Sequence, residues 1–225
     1  MKNMTNILIK QALLLNENKA IETDIYIKQG RIDKILPYIS GKDTDLIIDA
    51  QGQRVIPGMI DDQVHFREPG LPHKGNIYSE SRAAVAGGIT SFMDMPNTKP
   101  PTLNLEAIQH KKALAAQTSV ANYGFHLGAS RDNLDIVASI DPKQIAGVKV
   151  FMGASTGNML LDDEASLNYL FSHVPTILLA HCEHTPTIIE RENYFRQQYG
   201  DAIKPSWHSQ IRSHEACYRS SSLAV

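Results

Sequence analysis

From Val55 onward, short apolar runs alternate with segments of helical periodicity, and this alternation constrains the fold more than any other feature. Strands that alternate with helices build a parallel sheet, open or closed into a barrel, with the helices as its cover. Strands are predicted at residues 55–60, 90–95, 121–127, 147–152 and 176–182, the last a continuous apolar run of the kind buried on both faces. Helices are predicted at residues 79–85, stopped by Gly87-Gly88, and at 105–117. In the second, Leu105, Ile108 and Ala115 share a side and Lys111-Lys112 lie elsewhere. Leu134, Val137 and Ile140 mark a short helix, and Asp162 or Asp163 opens one that presents Leu167, Leu170 and Phe171. Thr185-Pro186 begins another that ends before Gly200, and residues 213–225 form the last.

Residues 6–48 read differently. Ile25 and Ile27 alternate with Tyr26 and Lys28, and Gln29-Gly30 supplies a hairpin turn, so small antiparallel β structure is expected there. The division into parts is placed at 1–54 and 55–225. With 225 residues, 42% of them hydrophobic, the chain can bury a substantial core. Lys and Arg number 22 against 24 Asp and Glu, a formal charge of -2 that gives no electrostatic case for nucleic acid or an anionic membrane. No apolar run approaches the ~20 residues of a membrane span, and a cytoplasmic location is expected. Cys182 and Cys217 show no C-x-x-C spacing and are read as free thiols.

Polar groups collect where the first apolar run gives out, in Ile56-Pro-Gly-Met-Ile-Asp-Asp-Gln-Val-His-Phe-Arg-Glu-Pro-Gly70. Barrel enzymes keep their chemistry at the carboxyl ends of strands. If the extended conformation persists, Gln63, His65 and Arg67 share a face. The sequence IDDQVHFREPG, followed in order by AGGITSFMDMPNTKPP, GVKVFMGASTGN and LLAHCE, resembles the dihydroorotases of the amidohydrolase superfamily. That resemblance implies a metal-dependent (β/α)8 TIM barrel, incomplete here with about five strands, and an N-terminal part of a β-sandwich. A complete, open, doubly wound sheet of five strands is the alternative that length permits.

His65 can offer a neutral imidazole nitrogen to a divalent cation, or can be a histidine in a polar turn. The resemblance makes His65, Lys149 and His181 metal ligands for one or two Zn2+ ions, with Lys149 carboxylated to a carbamate. Gln63 stands where the family carries a second histidine, which weakens a second metal position. Lys149 lies between Val148 and Val150 and points to the face opposite them; a lysine snorkelling to the barrel mouth or pairing with an acid is the plainer reading. Glu183 is a candidate to orient His181, or is a surface acid, and Asp61 and Asp62 are turn or cap acids. Arg67 and Asn97 are the family's contacts to a substrate carboxylate, against a surface arginine and a turn asparagine. Gly153-Ala-Ser-Thr-Gly157 is read as a barrel-top loop. No catalytic residue is assigned, because the family's proton-shuttling aspartate follows an eighth strand.

The resemblance implies zinc-dependent, reversible hydrolysis of dihydroorotate to N-carbamoyl-L-aspartate in pyrimidine synthesis. The alternatives are a non-catalytic scaffold subunit, motivated by Gln63, and a related cyclic amidase such as a hydantoinase, dihydropyrimidinase or allantoinase. The partner expected is a small-molecule substrate, with a homo-oligomer or an association with aspartate transcarbamoylase as further options.

Overall fold

A computed structural model describes residues 5–153 and 157–225, so the middle of the 153–157 loop lies outside the described residues. The chain divides into two units, Met1–Gly58 and Met59–Val225. The first holds β1 (Ile7–Asn16), β2 (Lys19–Lys28), β3 (Arg31–Leu36), β4 (Leu46–Asp49) and β5 (Arg54–Val55). Their order is β3-β2-β1-β4, with β5 also on β1. The two hairpins are antiparallel, and each turns through two residues at positive φ, Glu17-Asn18 and Gln29-Gly30, as a right-twisted hairpin requires.

Two features of this unit depart from the antiparallel expectation. Strands β4 and β5 run parallel to β1, because residues 37–45 cross back over the sheet rather than turning on its edge. A bulge between Ile9 and Ala12 puts Gln11 at φ 52, and buried Asp24 covers it. One Asp24 oxygen accepts from Gln11 N at 2.9 Å and the other from Ile39 N at 2.9 Å.

The second unit contains β6 (Met59–Val64), α1 (Ile77–Ala86), β7 (Ile89–Asp94), α2 (Leu105–Thr118), β8 (Asn122–Gly128) and α3 (Leu134–Ala138). It continues with β9 (Gly147–Phe151), α4 (Glu164–His173), β10 (Leu178–His181), α5 (Thr185–Tyr199), α6 (His208–Ile211) and α7 (His214–Ala224). All five strands are parallel, in the order β10-β9-β8-β7-β6, forming a curled half-barrel. A doubly wound sheet reverses its strand order at a switch point; this one does not, and sequential order is that of a barrel.

The helices start where short polar side chains can bond the free N–H groups of the first turn. Asn76 accepts from Ser79 N, Asn104 from Ala107 N, Asp163 from Ser166 N and Ser213 from Ala216 N. For α5 the cap is His184 rather than Thr185, with Pro186 in the first turn where no amide donor is needed. Phe92, Phe125, Leu127, Val148 and Val150 of the strands pack with Ile108, Leu167 and Leu170 of the helices in one core.

Three expectations need correction. The apolar run at 55–60 is split: Val55 belongs to β5, Pro57 interrupts the ladder, and β6 begins at Met59. The run at 176–182 is not buried on both faces among the described residues: β10 pairs there with β9, Leu178, Leu179 and His181 are half-buried, and Ile177 is 63% exposed. Lys111 is not on the outer face of α2. It is buried with Ile108 and Ala115, three and four residues away on the inner stripe.

Candidate metal and substrate site

Strand β6 ends at Val64, and the next residues turn through the ends of β7 and α1. His65 is half-buried, with its Nδ1 2.9 Å from Asn97 Oδ1. The amide oxygen only accepts, so His65 donates from Nδ1 and keeps its lone pair on Nε2. Burial, together with the Arg67 and Lys149 charges, pushes the imidazole below its ordinary range despite its bond to Asn97. This is the neutral tautomer that a cation needs.

The extended conformation does not last to Arg67, so Gln63, His65 and Arg67 do not form one strand face. Arg67 sits at φ 69, in the left-handed region, where a non-glycine residue costs roughly 1–3 kcal/mol. Its carbonyl accepts from Leu71 N, and its charge acts on His65. The rest of this loop braces the turn. Glu68 Oε2 accepts from Ile77 N, the first amide of α1, at 2.8 Å. Gly70 lies at φ +90 against the Lys99 carbonyl, which an added Cβ would meet at 1.9 Å. Gln63 is exposed, its backbone N–H turned to Asp61 Oδ1 at 3.1 Å, so Asp61 acts as a turn acid.

On β9, Val148 and Val150 are fully buried in the helix-side core, and Lys149 occupies the opposite face while remaining only 2% exposed. Its Nζ lies 5.1 Å from the centroid of the Phe151 ring. Among the described residues no carboxylate pairs with it, and burial pushes its ammonium below the ordinary range. His181 pairs in register with Phe151, and their rings are 6.1 Å apart, so Lys149 and His181 flank one phenyl ring. His181 Nε2 is 2.8 Å from Glu183 Oε2, and Arg212 holds the same oxygen at 2.5 Å. Those two partners keep Glu183 below the usual carboxylate range, against the opposing effect of its burial. Gly153 allows the chain after β9 to pass against the Glu183 carbonyl, which a Cβ would meet at 1.8 Å.

Two further buried groups, assigned no role by the sequence motifs, lie beside these residues. Asp94, at the end of β7, is completely buried, with Oδ2 2.6 Å from Lys111 Nζ and Oδ1 accepting from Phe66 N at 2.9 Å. Lys111 also donates to the Met95 carbonyl at 3.1 Å. His126, buried on β8, has Nε2 3.0 Å from the Asp62 carbonyl. An acid and a lysine 17 positions apart, each in an otherwise apolar stripe, were the clue to the first.

Among the described residues no three His, Cys, Asp or Glu side chains converge as a metal site. His65 and His181 are imidazole donors, and a cation beside them would be repelled by Lys149 as an ammonium. As an anionic carbamate the same lysine would instead attract a cation, and two imidazoles with an anionic oxygen are donors of the kind that a divalent metal takes.

No family model matches the chain. The dihydroorotase of Methanosarcina acetivorans is 31% identical over 212 residues, 93% of this chain and 44% of that protein. The L-hydantoinase of Paenarthrobacter aurescens is 29% identical over 192 residues, 83% of this chain and 42% of its own. Among solved structures, an L-hydantoinase (dihydropyrimidinase) from Arthrobacter aurescens superposes with a TM-score of 0.86 at 25% identity, covering 98% of this chain and 50% of that one. The chain therefore spans less than half the length of these curated relatives.

Proposed function

We propose that this chain, a relative of the cyclic amidohydrolases, is the amino-terminal part of a dihydroorotase that hydrolyses dihydroorotate reversibly to N-carbamoyl-L-aspartate. The observation that carries the reading is the pairing of a neutral His65, fixed by Asn97, with a buried Lys149; among the described residues His65 Nε2 is unengaged and Lys149 has no carboxylate partner. Burial disfavours the Lys149 ammonium, and only the unprotonated amine can take up carbon dioxide. His65, carboxylated Lys149 and the Nδ1 of His181 would hold zinc, with Glu183 orienting His181 through its other nitrogen. When bound, zinc supplies a Lewis acid that acidifies water and polarises the ring carbonyl.

The remaining work falls to Arg67 and Asn97. Asn97 spends its oxygen on His65 and keeps its NH2 group for an anion. Arg67 offers a planar fork to the same carboxylate, and its strained backbone keeps the side chain beside His65. A ring that bears a carboxylate exploits both groups, and this favours dihydroorotate over hydantoin, dihydropyrimidine or allantoin. A scaffold role draws support from one observation: Gln63 is exposed and makes no side-chain hydrogen bond among the described residues.

The test is turnover of dihydroorotate, hydantoin and allantoin with zinc analysis, for the chain alone and joined to the carboxyl-terminal half of the Methanosarcina relative. Preference for dihydroorotate with bound zinc supports the proposal. Zinc binding with preference for an uncharged ring would reassign the substrate, and a chimera that neither binds zinc nor turns over any ring would leave the scaffold reading.

A further inference from the structure

The ladder that should hold β6 fails just before His65. Among the described residues β6 pairs with β7, and its register with β7 jumps between Asp61 and Val64. Asp62 and Gln63 therefore have no register partner on β7, yet the backbone must deliver His65 to a defined place three residues further on. Side chains take over where the ladder stops. Downstream, Phe66 N is held by Asp94 Oδ1 at 2.9 Å. Upstream, the Asp62 carbonyl is held by His126 Nε2 at 3.0 Å, a contact that passes over β7 to join strands that are not neighbours.

His126 is an expensive choice for a purely structural side chain. A carbonyl only accepts, so the imidazole must donate from Nε2, and Nδ1 is then left with its lone pair. That Nδ1 is buried and makes no hydrogen bond of good geometry among the described residues, although the Gly147 backbone, in register with His126 on β9, also acts on the ring. An apolar residue of similar size would fill the position without an unsatisfied nitrogen, and on either side of His126 in β8, Phe125 and Leu127 are apolar and buried. Burial holds the ring below its ordinary range, which keeps it in the neutral form this bond uses.

We infer that His126 is a positioning residue for His65: its Nε2–H anchors the Asp62 carbonyl and so fixes where β6 delivers the His65 imidazole. The inference rests on the proposed function only in giving His65 a ligand's task. The closest mimic of a histidine Nε2–H is the amide of glutamine; the shorter asparagine puts its amide near the Nδ1 position and falls short of Asp62.

The test uses the full 225-residue chain without metal, with 15N-labelled histidine rings assigned through a His65→Gln control. In the unsubstituted chain, His126 should read as the Nε2–H tautomer and His65 as a single Nδ1–H tautomer. His126→Gln should keep the His65 signature, whereas His126→Asn should turn it into a mixture of tautomers. Zinc affinity, read by chelator competition, should fall about 10-fold or more in the asparagine variant and recover with glutamine. An Nδ1–H tautomer at His126 would overturn the inference without any variant, and so would identical His65 signals in the two variants. If the chain binds no zinc and hydrolyses nothing but the His65 signals still separate the variants, the proposed function falls and this inference stands.

Discussion

Replacing Lys111 by methionine isolates a charge that the fold has fully enclosed. The Lys111 and Asp94 side chains are 1% and 0% exposed, with Nζ and Oδ2 2.6 Å apart. Methionine matches the lysine stem in volume, so the change removes the ammonium and little packing. Asp94 then keeps Phe66 N on one oxygen but has nothing on the other. Leaving a buried charge unpaired costs about 3–5 kcal/mol, a large part of the ~5–15 kcal/mol that a domain has in total. With a urea slope of about 2 kcal/mol/M, the midpoint should fall by about 1.5–2.5 M, followed by far-UV circular dichroism. Adding Asp94→Asn removes the stranded charge while keeping an acceptor for Phe66 N, and should return more than half of the loss. A loss under about 1 kcal/mol would refute the reasoning that this pair is desolvated and mutually dependent.

Arg67→Ala should lower kcat/KM for dihydroorotate by about 10- to 100-fold in the chimera, the loss of a charge-assisted contact worth ~1.5–3 kcal/mol; unchanged kinetics would remove Arg67 from the site. Lys149→Ala should abolish zinc retention measured by elemental analysis, with partial rescue by a small carboxylate, while Gln63→Ala keeps most of it and Gln63→His raises occupancy of a second ion. Equal zinc in the wild type and Lys149→Ala would exclude the carbamate. Asp163 is held below its ordinary range first by the Ser166 backbone N–H that it caps. Its contribution is present above its unfolded pKa and lost as pH falls through the folded one, so Asp163→Ala should cost about 1 kcal/mol at pH 7 in urea melts and nothing in strong acid.

The sequence by itself determined what depends on neighbours along the chain. Five parallel strands follow from the alternation of apolar runs and helical periodicity, and the starts of α4 and α7 follow from Asp163 and Ser213 where a first turn lacks partners. The inward face of Lys149 follows from Val148 and Val150, because side chains in a strand alternate. Tertiary structure decided whatever depends on which distant group arrives. Lys111 belongs to the inner stripe of α2 by spacing alone, but only the arrival of Asp94 makes a buried ammonium affordable there. Arg67 leaves the strand face for the left-handed region because the loop must close over Lys99 and deliver Glu68 to α1. His126 and Asp62 are 64 positions apart, and no local pattern links a buried histidine to a carbonyl two strands away. Periodicity records the direction in which a side chain points, and the partner it meets there is settled only when the sheet curls.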